Sequence, residues 1–225
     1  MRKPTTVLMR VAAAKIGLFL AGVVHAAPIV QPLGLNPGDT YRLVFVTSGT
    51  RNATSSNISD YDSFVTTQAN LNSILQALGT TWQAIGSTAS VNAFNHIGGT
   101  FTIPIYNLNG QLVATGSNDL WDGSLGAAIQ YDQAGNALNT SVWTGTLANG
   151  QSGSPNVLGS TTPIFGVSSN PTGSWTNATV GLGTSPMSLY AISATLTVPQ
   201  AVPEPDTTGF LALSLLAIWW RRARS

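Results

Sequence analysis

The sequence predicts an α+β domain with a mixed or antiparallel sheet, one or two helices and a long loop-rich region. An N-terminal signal helix and a C-terminal hydrophobic helix flank it. Three observations carry this reading. The hydrophobic period shifts from strand to helix and back to strand along residues 27–200. A Gly-, Asn-, Ser- and Thr-rich stretch fills 115–185. Each end holds an apolar run beside clustered basic residues.

Composition narrows the function classes. Only 8% of the 225 residues are charged, against about 25% in an ordinary soluble protein. At 43% hydrophobic the chain can still bury a core, so low charge does not imply disorder. Most of the basic residues are terminal: Arg2, Lys3, Arg10 and Lys15 at one end, Arg221, Arg222 and Arg224 at the other. Between them, Arg42 and Arg51 stand against Asp39, Asp60, Asp62, Asp119, Asp122 and Asp132, a net of −4 over residues 27–200. Such a surface has no electrostatic footprint for nucleic acid or anionic lipid. The absence of cysteine excludes disulfides, thiolate catalysis and cysteine-ligated metal.

Residues 1–26 read as a secretory signal: a basic start, the apolar run Ile16 to Val24, then Val24-His25-Ala26. Small residues three and one before the cut suit signal peptidase, which places cleavage between Ala26 and Ala27.

Asn36-Pro37-Gly38-Asp39 is a turn, and Tyr41 to Val46 an apolar run of strand length. Ser59-Asp60-Tyr61-Asp62 has the S-x-x-D spacing of a capping box. The three- and four-residue recurrence of Tyr61, Phe64, Val65, Leu71, Ile74, Leu75 and Leu78 predicts a helix over 60–78, broken near Asn70 and Asn72. Trp82 to Ile85 is a short strand, and Asn109-Gly110 marks a hairpin within Ile103 to Ala114. Residues 115–185 are too many for a structureless loop. They predict a loop-rich subdomain of short strands pinned by Trp121, Trp143 and Trp175. The last strand alternates: Tyr190, Ile192, Ala194, Leu196 and Val198 form a buried face, with Ala191, Ser193, Thr195 and Thr197 wet. Pairing this strand with Tyr41–Val46 would set its apolar face on the helical stripe near Leu71–Leu78.

Little catalytic chemistry is available. His96 is the one histidine after residue 26, and its setting Asn95-His96-Ile97-Gly98-Gly99 has no nucleophile elbow. It reads as a solvent-facing loop residue. Residues 27–200 lack lysine and glutamate, so paired-carboxylate chemistry could rest only on aspartates. No enzyme is expected. In Asn118-Asp119-Leu120-Trp121-Asp122-Gly123 the oxygens of Asn118, Asp119 and Asp122 could serve calcium, or simply cap and turn a loop. No other cofactor is expected. Trp121, Trp143 and Trp175, if exposed, are candidates to stack on sugar rings; if buried, they favour a structural role.

The C-terminal region has three parts in order: Val202-Pro203-Glu204-Pro205, the apolar run Gly209 to Trp220, and Arg221-Arg222-Ala223-Arg224. At about 1.5 Å per residue the run spans roughly 18 Å, short of a hydrocarbon core of about 30 Å. The flanking tryptophan pair and snorkelling arginines narrow that gap, and the arginines would stay cytoplasmic.

This tail over residues 202–225 resembles the PEP-CTERM sorting signal of exosortase substrates. The resemblance implies a Gram-negative-type envelope and transient residence in the inner membrane. It also implies processing near the motif by an exosortase-type membrane protease, then display at the cell surface or in an extracellular biofilm matrix. The segments YRLVFVTSGT, TWQAIGST, NDLWDGSL and VWTGT resemble a bacterial family with a C-type-lectin-like fold. That resemblance implies that the first and last strands pair. The disulfides and carboxylate-rich calcium-and-sugar motif of lectins are missing, so sugar binding is not carried over with it. Two functions stand: a structural or adhesive matrix component, or a carbohydrate-binding module for exopolysaccharide or other glycans, with calcium assistance.

Overall fold

The computed structural model describes residues 27–200. The expected signal segment (1–26) and residues 201–225, which include the expected sorting tail, lie outside the described residues, so the helices expected there are not part of the structure below. No helix among the described residues is long and apolar enough to cross a membrane.

The architecture is α+β. Strand β1 (Thr40–Val46) precedes helices α1 (Ile58–Ala69) and α2 (Ser73–Ala77), strand β2 (Trp82–Ala84) and the short helix α3 (Ala93–His96). Strands β3 (Ile105–Asn107) and β4 (Leu112–Ala114) form a hairpin, followed by α4 (Ser117–Leu120). The chain continues through β5 (Ser141–Trp143), β6 (Ile164–Val167) and β7 (Thr179–Val180), and closes with β8 (Tyr190–Ser193) and β9 (Leu196–Thr197).

The main sheet runs β2-β8-β1-β3-β4, with β9 also paired to β1. It is mixed: β1 and β3 are parallel, while β8 is antiparallel to both β1 and β2. The expected pairing of first and last strands is present, with Val44 opposite Ile192 and Val46 opposite Tyr190. A second sheet, β5-β6-β7, organises the loop-rich subdomain.

Both faces of the main sheet are buried, which explains why β1 reads as a nearly continuous apolar run. One face sets Leu43, Phe45 and Ala191 against Tyr61, Val65 and Ala69 of α1 and Leu75 of α2. The other sets Val44, Val46, Tyr190 and Ile192 against Ile97, Trp121 and Trp175, under the loop-rich subdomain.

Three local expectations are corrected. The wet face of the last strand is buried in β8, where Ala191 and Ser193 are both 0% exposed. Ser193 Oγ accepts from Leu43 N–H (2.9 Å) and donates to Ala194 C=O, so its polarity is satisfied internally. Tyr190 and Ile192 point away from α1 and α2; Tyr190 packs at a tilt against Trp175, with ring centroids 5.5 Å apart. Farther along, Ala194 and Leu196 are only half-buried. The cause is cover on both sides, which strand periodicity alone does not register: α1 and α2 take the Ala191 face, and the loop-rich subdomain takes the face of Tyr190 and Ile192.

The helix does break where expected, and the break shifts its phase. Asn72 caps α2, its Oδ1 accepting from Ile74 N–H at 2.9 Å. Leu75 is buried, while Leu71 and Ile74 remain exposed at 68% and 39%. The α1 cap is Asn57, whose side chain accepts from Ser59 N–H. Asp62 of the expected capping box is therefore free to turn elsewhere.

The hairpin holds as expected. Asn107 Oδ1 accepts from the N–H groups of Asn109 and Gln111, and Gly110 takes a φ of 73° that a β-carbon would disfavour. The described ends lie by the main sheet: Ile29 N–H donates to Leu108 C=O, and Val198 exchanges bonds with Gly38 and Asp39.

Candidate functional site

The polar and charged side chains that reach one another come from α1, α3, β1 and β2. Asp62 leaves α1 and accepts two bonds on one oxygen, from Ala84 N–H (2.8 Å) and His96 Nε2–H (2.9 Å). A carboxylate acceptor fixes the proton of His96 on Nε2. The His96 side chain is 12% exposed and Asp62 24% exposed. His96 is therefore a paired residue at the end of α3, not a solvent-facing loop histidine. Its backbone carbonyl accepts from Gln83 Nε2 of β2 at 2.8 Å. Among the described residues no hydroxyl is hydrogen-bonded to the His96 ring, so the pair joins α1 to α3 without a nucleophile beside it.

Arg42 and Gln83 line one cavity. Arg42 sits within β1, points to the face shared by Val44 and Val46, and is 5% exposed. Its Nε donates to Ser193 C=O at 2.7 Å and one Nη to Ile97 C=O at 2.6 Å. The guanidinium stacks over Phe101, 4.9 Å from the ring centroid. Burial lowers its pKa to about 10, so it remains a cation at neutral pH. No carboxylate among the described residues lies within ion-pair distance of it. A cavity of about 280 Å³ opens beside Arg42, lined also by Gln83, Ile97, Phe101, Ile103 and Thr195.

The sequence-predicted site residues lie elsewhere. Trp121, Trp143 and Trp175 are 7%, 0% and 0% exposed, the buried one of the two arrangements the sequence left open. Trp121 stacks on Trp175 at 5.4 Å between centroids. Trp143 meets Phe165 edge-on and donates from Nε1 to Ser185 C=O. They serve as core pins.

Asp119 Oδ2 accepts from the N–H and hydroxyl of Thr115, and Asp122 Oδ1 from Ser124 N–H. Both carboxylates thus have turn-forming work without an ion, and Asn118 is exposed. No group of three or more His, Cys, Asp or Glu among the described residues is placed to hold a metal. Ala27 is exposed at the start of the described chain. Ala26, Val202, Pro203, Glu204, Pro205, Arg221, Arg222 and Arg224 lie outside it.

Sequence reasoning missed Arg42 and the Asp62–His96 pair. Arg42 did leave a signal, as a cation inside an apolar strand of a domain with only two. The pair left none, because its members are 34 residues apart and Asp62 fitted a capping spacing.

Comparison with protein-family models and with curated proteins finds no match to this chain.

Proposed function

We propose that this chain is an exported protein of the bacterial cell surface or extracellular matrix, sorted by an exosortase-type system, whose domain has a structural or adhesive, non-catalytic role. One observation carries the reading: Pro203-Glu204-Pro205, the uncharged run Gly209–Trp220 and the closing arginines follow one another in that order. That order resembles the sorting signal of exosortase substrates, and cations beyond an apolar run favour a cytoplasmic place for that end. Signal peptidase would act at Ala26 and Ala27, and the inner membrane would be a transient station.

The domain's construction supports the same reading. Its opening and closing segments run together at β1 and β9, with Thr40 opposite Thr197. A domain tied at its own ends can be carried on a tail without strain passing into its core. The pairing of β1 with β8 is also what a C-type-lectin-like fold would require. The buried tryptophans favour a structural role over a glycan module that stacks sugars on aromatic faces.

The test is replacement of Pro203, Glu204 and Pro205 by alanine in the native host. Uncleaved chain should then accumulate in the inner membrane. Release at the same rate as the parent protein would overturn the reading.

A further inference from the structure

We propose that the cavity beside Arg42 binds the carboxylate of a small hydroxyl-bearing acid, of the size and kind of a single uronic acid. The inference is independent of how the chain is sorted.

The first ground is the state of Arg42. Taking a guanidinium out of water is costly unless a charge of opposite sign or a full set of acceptors replaces the lost hydration. Here two backbone carbonyls and the face of Phe101 do part of that, and no carboxylate among the described residues does the rest. Among the described residues Nη2 has no hydrogen-bond acceptor, yet it is not among the polar atoms sealed from solvent. Its unspent donors therefore remain accessible beside the cavity. A planar fork of N–H groups matches a carboxylate, and such charge-assisted bonds are roughly twice as strong as neutral ones.

The second ground is the shape and lining of the cavity. About 280 Å³ is room for a ligand of monosaccharide size. Ile97, Phe101 and Ile103 give apolar walls, while Gln83 and the Thr195 hydroxyl can address hydroxyl groups. Gln83 Nε2 is already bound to His96 C=O, which turns the amide into a fixed part of the wall. Exposed Gly98 and Thr195 border the mouth.

The third ground is charge. Residues 27–200 carry a net −4, which disfavours a long polyanion along the surface. A single carboxylate meeting one desolvated cation escapes most of that repulsion.

Isothermal titration of the full chain in nonionic detergent, with glucuronate, acetate and glucose in turn, tests the proposal. Glucuronate should bind saturably at one site, acetate at least tenfold more weakly, and glucose not at all. Arg42→Gln should weaken glucuronate at least tenfold. Because that change also touches the fold, Thr195→Phe provides a second arm: it fills the mouth and leaves both Arg42–carbonyl bonds in place. A folded Thr195→Phe protein, checked by circular dichroism, should lose glucuronate binding to the same degree. The proposal is overturned if the parent chain binds no glucuronate, if binding survives Thr195→Phe, or if glucose binds as well. Acetate binding as tightly as glucuronate would overturn the sugar-acid assignment.

Discussion

Tyrosine and serine side chains give the packing of this domain its sharpest measurable consequences. Tyr61 is fully enclosed against the helix-side core, and burial pushes its pKa up to about 12 from 10.0, with Arg51 nearby opposing the shift. Tyr190 is raised further by complete burial. A phenol whose folded pKa lies above its unfolded value contributes stability that is whole below pH 10 and falls as pH rises through the folded pKa. The chain should therefore hold its fold to about pH 10 and lose stability above it. Tyrosinate absorbance should rise for these two residues together with loss of circular dichroism. Absorbance from all five tyrosines rising well before unfolding would contradict their burial.

Gly166 gives a further test of packing at the scale of one residue. A β-carbon there would land inside contact distance of the Trp175 carbonyl oxygen. Gly166→Ala must displace the turn that carries Trp175, and overpacking of this kind costs about 1–3 kcal/mol. Urea unfolding measures it, and an unchanged midpoint would show that the turn moves freely. Asp119 and Asp122 predict the opposite kind of result. Their oxygens already accept from Thr115 and Ser124, so a chelator should leave the melting temperature unchanged. A downward shift abolished by Asp119→Ala and Asp122→Ala would place an ion at that loop.

At the scale of elements, β8 separates what periodicity can say from what it cannot. The alternation of Tyr190–Val198 correctly marks a strand, and the apolar run Tyr41–Val46 marks its partner. The assignment of a wet face fails at Ala191 and Ser193 because residues far along the chain cover the second side. Ile192→Asp and Ser193→Asp should therefore both unfold the domain. A buried carboxylate costs several kcal/mol, and a whole domain is stable by about 5–15. Thr197→Asp, on the exposed part of β9, should cost little. Thermal melts of the three variants decide the point, and a mild Ser193→Asp would contradict the two-sided burial.

The helical segment was more legible. Asn70 and Asn72 announced the break, since asparagine caps helices better than it continues them. What stayed hidden was the phase on each side, which leaves Leu71 and Ile74 outside the core. The active-looking corner was hidden for a related reason. Asp62, His96, Gln83 and Arg42 come from four separate elements, and no local spacing brings them together.

For the whole molecule, one domain is closed on itself by pairing near both ends, and its sheet is buried on both faces. Its net negative charge contrasts with the basic clusters that lie outside it in sequence. That division accords with the proposed export of a domain between two topology signals. The intact mass of the protein recovered from the native envelope and medium tests this most directly. The account predicts a chain that begins at Ala27 and lacks the apolar run 209–220. A species retaining residues 1–26 and the complete tail, recovered from the cytoplasm, would contradict it.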